Sequence, residues 1–565
     1  MVGTVCFAGV GLLTLVAPFE WTAPLLRLPR QSVSNLEAAV VSTFVSAGIA
    51  CAASLRLPEW RTPLTWPWAA LLLAMLVASV FSPVSRINAL HLTGRFGAAF
   101  GIYILAVTGI RSRARLTGVL LLALPAASVV SVLAILEYRG LRPVLAALTA
   151  FRPFVATVGA QVRASSTLAY PTIASMYLEV VFALGLGLLL MERDRARHGH
   201  VAAVFAVLAI IAEAITLTFT RAGLITMTAS LLLVGGVRRW QRGRDAGTPL
   251  LAGLGLVIVL IFVLSRSTSA MWLRLTTEGQ QSWYRATVAA PATLDLPADR
   301  ITVVPLVVTN TGRLPWDSHA TPPMRLSYHW LAATGDRFVI FEGERTSFTA
   351  PVLPDTTVSV DVHVRAPGQP GPYRLEWDVV QEGRLWFSTE PGAVRTMTRA
   401  TVSGATLDQP AITTPPPNQT VRPGRLVLWR AAFRIVATHP WLGIGPDNFR
   451  LAYGTYAGLP HADDRTHSNN MYLEMLAGGG LLVAIPFAWL LWRTAGCAIA
   501  LVRGSSRGGG AASLGVAAAL LAIAVHASVD SFLSFAPTYV IFSLTLGCAV
   551  ACAQGMETWP DANRV

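Results

Sequence analysis

The sequence predicts a mainly α, polytopic membrane protein of about twelve transmembrane helices, with an all-β sandwich inserted in one large external loop. Three observations predict it. The 565 residues are 53% hydrophobic and only 13% charged, about half the charge of a soluble domain. Apolar runs recur along the chain at the length a bilayer core demands, about 20 residues per helix. One long polar interruption, residues 266–469, changes from helical period to alternation.

The apolar runs are 2–19, 33–55, 64–82, 87–110, 115–136, 167–191, 200–219, 222–237, 249–265, 470–492, 510–528 and 532–554. The eighth is short, and the tenth can continue to 503. No basic stretch precedes the first, which therefore reads as a retained span and not a cleaved signal. The chain contains no Lys, so Arg alone carries the topology signal. With the N-terminus in the cytoplasm, fifteen Arg fall in inner loops, Arg111, Arg193, Arg238 and Arg503 among them, and seven in short outer loops. That is the sense of the positive-inside rule. It places both termini inside and residues 266–469 outside. The net charge of +14 is spread over these loops and not gathered on one soluble face, which speaks against nucleic acid as a partner and for membrane lipids. The five cysteines lie outside the polar segment at no metal spacing, which speaks against a disulfide framework or a zinc site.

Residues 1–272 thus read as an N-terminal membrane domain of about nine spans, and 470–565 as a C-terminal one of about three. Residues 285–403 alternate in ITVVPLVVTN, TVSVDVHVRA and YRLEWDVVQ. Turn signals at Asn310-Thr311-Gly312, Pro354-Asp355 and Pro370-Gly371-Pro372 separate the runs. About seven short strands at that spacing fit an immunoglobulin-like sandwich. Trp316, Trp330, Trp377 and Trp386 serve there as core or as sugar-stacking faces, and the sequence leaves both open. Residues 404–424 form a Pro/Thr-rich linker. Residues 425–469 are external: a helix with Leu426, Trp429, Ala432, Phe433 and Val436 on one face lies at the membrane surface. It leads into a titratable cluster of His461, Asp463, Asp464, Arg465 and His467.

His467 stands just before the tenth span, followed by Ser468, Asn469 and Asn470. Histidine there titrates near neutral pH and serves as base or hydrogen-bond partner to a hydroxyl. Plain helix capping is the competing role, since Ser and Asn are good N-caps. Glu474, one turn on, either orients these residues or only caps the helix. Arg221 lies in TFTRAG between two nearly fused spans. A guanidinium grips phosphate bidentately; snorkelling at a tight turn is the alternative. Charges within spans are costly and face a cavity or a partner. Arg95, with His91 one turn before it, Glu179, Glu213 and the outer pair His526 and Asp530 are of this kind. Arg95 is a second phosphate ligand by this reading. His526 and Asp530 either meet substrate or tie helix ends together. Arg163, opening RASSTLAYP, faces the same cavity or marks an ordinary helix start.

Taken in order, the RASST segment, the TRAG turn, HPWLGIGPDNF, HSNNMYLEMLAGGG and the His526/Asp530 pair resemble the bacterial O-antigen ligase family, with its related O-antigen polymerases and protein O-oligosaccharyltransferases. The resemblance covers about 1–270 and 420–565. His467, Ser468 and Gly478 fit the family's pattern of His, a small polar residue, nine residues and Gly. The Thr expected three positions later is Leu481, and the β insertion is not part of the usual pattern. What the resemblance implies is a metal-independent, cofactor-free, inverting glycosyltransferase on the outer face of the bacterial cytoplasmic membrane. The donor is an undecaprenyl-diphosphate-linked glycan, and the acceptor a hydroxyl on a lipid such as lipid A-core, on a glycan, or on protein. Arg221 and His467 match the family's phosphate-binding Arg and loop His and are the expected catalytic residues. Arg95, Arg163, Ser468, Asn469, Asn470, Glu474, His526 and Asp530 are the expected substrate contacts. No metal ligand set is expected beyond Asp463-Asp464, and arginine can meet the charge of a departing diphosphate instead. A polymerase or protein transferase is the alternative within the family. A transporter of lipid-linked glycans or an envelope scaffold is the alternative outside it.

Overall fold

The computed structural model describes residues 1–28, 31–152, 155–158, 161–243, 245–265, 282–320, 322–383, 385–390, 393–404, 423–459, 462–505 and 510–555. Most of the 404–424 linker, the end of the first membrane domain beyond 265, and His461 lie outside the described residues. Contacts divide the chain into two units: Met1–Ala156, Val162–Ser267 and Arg425–Val565 form one, Thr157–Gln161 and Thr268–Gly424 the other.

The first unit is helical. Its helices are α1 Val2–Val16, α2 Asn35–Ser54, α3 Thr65–Val80, α4 Arg86–Gly109, α5 Arg113–Tyr138, α6 Arg142–Leu148, α7 Pro171–Asp194, α8 His198–Leu217, α9 Arg221–Arg242, α10 Gly247–Ser265, α11 Arg425–Thr438, α12 Phe449–Ala457, α13 Met471–Gly504, α14 Ala511–Ala527 and α15 Ala536–Gly555. Side-chain caps fix several starts. Ser34 accepts from the Glu37 N–H while Glu37 takes the Ser34 N–H, a capping box that opens α2. Ser85, Ser112 and Asn470 cap α4, α5 and α13 in the simpler way.

Each expected span coincides with a helix, and eight of them are long and apolar enough to cross a membrane: α2, α4, α5, α7, α8, α10, α13 and α15. Helices α1, α3 and α14 are apolar but shorter. Helix α9 falls short for a different reason. It carries Arg at both ends, and Thr226 and Ser230 sit buried on its inner face. Thr226 is satisfied there by the Glu179 carboxylate, whereas Ser230 Oγ is buried with no hydrogen-bond partner among the described residues. Helix α7 is buried along its whole apolar stretch and α15 nearly so, as expected of helices apolar all round.

Two helix starts depart from the sequence reading. Helix α7 starts at Pro171 and not at 167, because Ser166 takes a left-handed backbone (φ 53°) and proline supplies the first helical residue. Helix α15 starts at Ala536, after a short 3₁₀ turn Phe532–Ser534. Helix α13 runs on to Gly504, as the sequence allowed, and carries an unforeseen break at Gly480 (φ 59°, ψ −161°).

The second unit holds two sheets around one core. Strands Thr293–Pro297, Met324–Ala332, Thr346–Ser347, Gly371–Gln381 and Thr396–Ser403 build the larger sheet, with Phe338–Ile340 and Leu385–Trp386 as side pairings. Ala286–Ala289, Ile301–Asn310 and Thr357–Arg365 build the smaller. Alternation works as the strand period dictates. Val304, Leu306 and Val308 point inward from Ile301–Asn310, and Val362 and Val364 from its neighbour. They meet Leu326, Tyr328 and Trp330 and Leu375, Trp377 and Val379 of the larger sheet. Trp316, Trp330, Trp377 and Trp386 are all buried. They fill cores and offer no open face for a sugar.

Candidate functional site

The site grows from a loop that fastens itself to a broken helix. Between α11 and α12 the segment HPWLGIGPDN runs beside α13 at its break. Ile444 N donates to Ala477 O at 3.2 Å and Gly445 N to Gly478 O at 2.7 Å. Beyond the break, Leu481 N donates to Pro440 O at 2.8 Å and Leu482 N to Trp441 O at 3.0 Å. The backbone groups freed by the break are thus satisfied by the loop. Contact this close leaves no space for side chains at two glycines. A Cβ on Gly445 (φ 96°) would lie 2.4 Å from Ser82 Oγ, and one on Gly480 2.4 Å from the Trp441 carbonyl carbon. Gly445→Ala is expected to cost about 1–3 kcal/mol in strain and to lower the thermal unfolding midpoint in nanodiscs. Gly253→Ala, in open space on α10, should leave it unchanged.

Asn448, fully buried, anchors the loop to the start of α4. Its amide donates to Ser82 Oγ (2.8 Å), Ser85 O (3.0 Å) and Ile444 O (2.9 Å), and its Oδ1 accepts from Asn88 at 3.0 Å. Asp447, in a left-handed backbone (φ 63°), accepts from Arg450 Nε at 3.0 Å. Arg450 also reaches Asp464 O at 3.0 Å and Asn88 Oδ1 at 2.5 Å. On this turn Asp463 Oδ1 accepts from Arg465 N at 3.0 Å, while Asp464 is exposed and lends Arg450 only its carbonyl.

His467 sits between two carboxylates. Its Nδ1 is 3.1 Å from Glu474 Oε1 and 3.9 Å from Asp447 Oδ1. Glu474 Oε2 accepts from Ser468 N at 2.8 Å and from Ser531 Oγ at 3.4 Å. Glu474 therefore orients the His467 loop and does more than cap a helix. Ser468 Oγ donates to Asn470 O at 2.8 Å. Asn470 caps α13 and donates to Ser528 O at 2.9 Å, while Asn469 makes the left-handed turn between them (φ 53°). Burial pulls the His467 imidazole down. The Glu474 carboxylate and its hydrogen bond, with Asp447 and Asp530 behind, outweigh burial and hold the group above its ordinary 6.5. Asp447, His467 and Glu474 also bring potential metal-ligand atoms within 4.8 Å of one another. Since Nδ1 is the ring atom turned to both carboxylates, a proton held there satisfies the same three groups.

Arg95 and His467 flank one turn. Arg95 Nη1 donates to Ser534 O at 3.3 Å, and the His467 ring meets the next residue, Phe535, edge-on at 6.1 Å between centroids. Arg221 is the first residue of α9 and half-buried. Among the described residues its guanidinium makes no hydrogen bond or ion pair, at a helix end where the backbone dipole favours an anion. Arg163 braces the turn ahead of it: Nε donates to Thr218 O at 2.9 Å and Nη2 to Thr220 Oγ1 at 3.4 Å. His526 and Asp530 form no ion pair with each other. The His526 imidazole is buried against Glu179, with Nδ1 2.7 Å from Oε1. The Asp530 carboxylate accepts from Ser531 N at 2.8 Å.

Several site-shaping residues gave no local signal. Asp447 and Asn448 look like an ordinary turn. Glu137 closes α5 and accepts from Ser165 N (3.1 Å) and Ser166 N (2.7 Å) while paired with buried Arg152 at 2.6 Å, and so holds the RASST segment. Arg425 opens α11 close enough to His526 to act on its charge. A polar residue inside an apolar run was the one available cue, and among the groups that shape the site it pointed to Glu179, Arg95 and His526 but not to these.

Among the described residues, eight helices long and apolar enough to cross a membrane, with titratable groups gathered at helix ends, define a multi-pass membrane protein with a polar site at the ends of its helices. Residues 398–488 match the family model described as O-antigen ligase. The match contains α11, the loop, His467, Glu474 and the break in α13. No match is found among curated proteins.

Proposed function

We propose that this protein is an inverting glycosyltransferase that moves a glycan from an undecaprenyl-diphosphate-linked donor to an acceptor hydroxyl, without a metal, at the outer face of the bacterial cytoplasmic membrane. The family match supports glycan transfer of ligase or polymerase type. The observation that carries the finer reading is the His467–Glu474 pair at 3.1 Å within the matched segment. A carboxylate on Nδ1 keeps the proton there and leaves Nε2 as the base. The acceptor O–H proton passes to Nε2, and the acceptor oxygen attacks the anomeric carbon. The bond from that carbon to the diphosphate oxygen breaks with its electron pair, which inverts the carbon. Arg221, unpaired among the described residues at its helix end, meets the charge on the leaving diphosphate, and Arg95 adds to it. Arg163 holds Arg221 in place, and Ser468, Asn469 and Asn470 shape the acceptor side.

By the same reading both termini are cytoplasmic. Residues 1–272 and 470–565 are membrane domains, and 425–469 is the external catalytic loop joined by the 404–424 linker. The 285–403 unit is of immunoglobulin-like type, a reading its two sheets with a shared tryptophan-rich core support. Leu481 in place of a hydroxyl residue favours, as a second reading, a polymerase or protein transferase over a lipid A-core ligase.

The test is transfer by purified protein in nanodiscs, with a lipid-diphosphate glycan, EDTA, and lipid A-core, free glycan or peptide as acceptors. Donor consumption with a product of summed mass is expected, and that mass names the acceptor. An intact donor with every acceptor sinks the proposal.

A further inference from the structure

Three helices meet at a buried charge pair that the transfer step leaves unused. Glu179 in α7 and His526 at the end of α14 are both shut off from solvent. Glu179 Oε1 lies 2.7 Å from His526 Nδ1. Its other oxygen accepts from Thr226 Oγ1 at 2.6 Å, in α9, five residues after Arg221. Thr226 Oγ1 also lies 3.0 Å from Gly223 O, so the pair acts on the first turn of α9.

The chain leaving His526 then turns toward the His467 loop. Ser528 O accepts from Asn470 Nδ2 at 2.9 Å, and Ser531 Oγ donates to Glu474 Oε2 at 3.4 Å. Residues 526–531 are therefore held by Glu179 on one side and hold the His467 loop on the other. His526 Nε2 is buried with no hydrogen-bond partner among the described residues, so Glu179 alone fixes the ring by hydrogen bonding. Ionisable groups inside a membrane bundle are costly, and removing one member of a buried pair strands the other. Such a pair is worth its cost where it sets geometry.

We propose that Glu179 and His526 are positioning residues that hold the helix bearing Arg221 in register with the loop bearing His467. The inference rests on the reading of those two residues as the two ends of the site. Its test is chosen to fail separately.

The full chain in nanodiscs is compared as wild type, Glu179→Gln and Glu179→Ala by amide hydrogen exchange and by transfer kinetics. Glu179→Ala should speed exchange about tenfold, the size of effect that loss of a supporting contact gives, in both 221–226 and 467–474. Residues 2–54 should be unchanged. Transfer should fall on the order of 100-fold, as misplacement of a reacting group does, in kcat and not in donor KM. Glu179→Gln keeps the shape and the bond to Thr226 and should recover part of both. Loosening of one segment alone, of neither, or of the whole bundle overturns the proposal. If both segments loosen together while Arg221→Ala and His467→Ala transfer normally, the link stands and the reading of the site falls.

Discussion

Replacing Arg221 by alanine should abolish transfer while leaving the helical unit as stable as wild type. The guanidinium has no partner among the described residues, so its loss strands nothing. The turn before it is held by other groups, Arg163 on Thr218 O and Thr220 Oγ1. What is lost in the proposed mechanism is the cation that meets the leaving diphosphate. Single arginines and oxyanion donors that act only on developing charge contribute roughly 10²- to 10⁵-fold, so a fall of at least about 10³ in kcat/KM is expected. Arg221→Lys keeps the charge but not the planar fork and should fall between. Steady-state kinetics beside thermal midpoints decide it. An alanine variant that transfers at the wild-type rate removes Arg221 from the mechanism.

The second large effect is expected at Glu474, and it has a direction in pH. The His467 imidazole is held above its ordinary 6.5 because Glu474 outweighs burial. The stability this pair adds is full below 6.5, where the imidazole is charged in both folded and unfolded chains. It is lost as pH rises through the higher folded value. Transfer runs the opposite way, because the base must be neutral, and the rate should climb through that same folded value. Glu474→Gln removes the largest favourable partner and leaves burial in place. The rising limb should then move to lower pH. The maximal rate should fall on the order of 100-fold, because the nearer carboxylate no longer meets the imidazolium formed as the proton arrives and Asp447 stays at 3.9 Å. Both changes belong to one variant, and a merely structural Glu474 would lower the rate without moving the limb. His467→Ala should lose the limb altogether.

How much of this was readable beforehand depended on the range of the interaction. The spans were legible because each is a local count of apolar residues against a fixed membrane thickness. Helix α9 strained that rule: its buried Thr226 and Ser230 face neighbours that no local window contains. The break in α13 was hidden because AGGG is compatible with a helix. It takes the Pro440–Gly445 loop, bonded on both sides of Gly480, to hold it open. Arg221 and His467 stood out as charges at helix ends. Their surroundings were legible only where local: Glu474, seven residues from His467, was already a candidate to orient it, whereas Glu179 is 347 residues from His526.

The sequence by itself determined the class of the protein, the helical runs, the alternating insertion and the residue types at the site, because composition and period act along the chain. Tertiary structure alone decided which groups meet. It gave His467 two carboxylates, left Arg221 without a partner among the described residues, turned Arg163 into a brace, and took His526 from Asp530 to Glu179. The physical reason is that a buried charge must find its counter-charge through space, and packing places that partner wherever the helices cross.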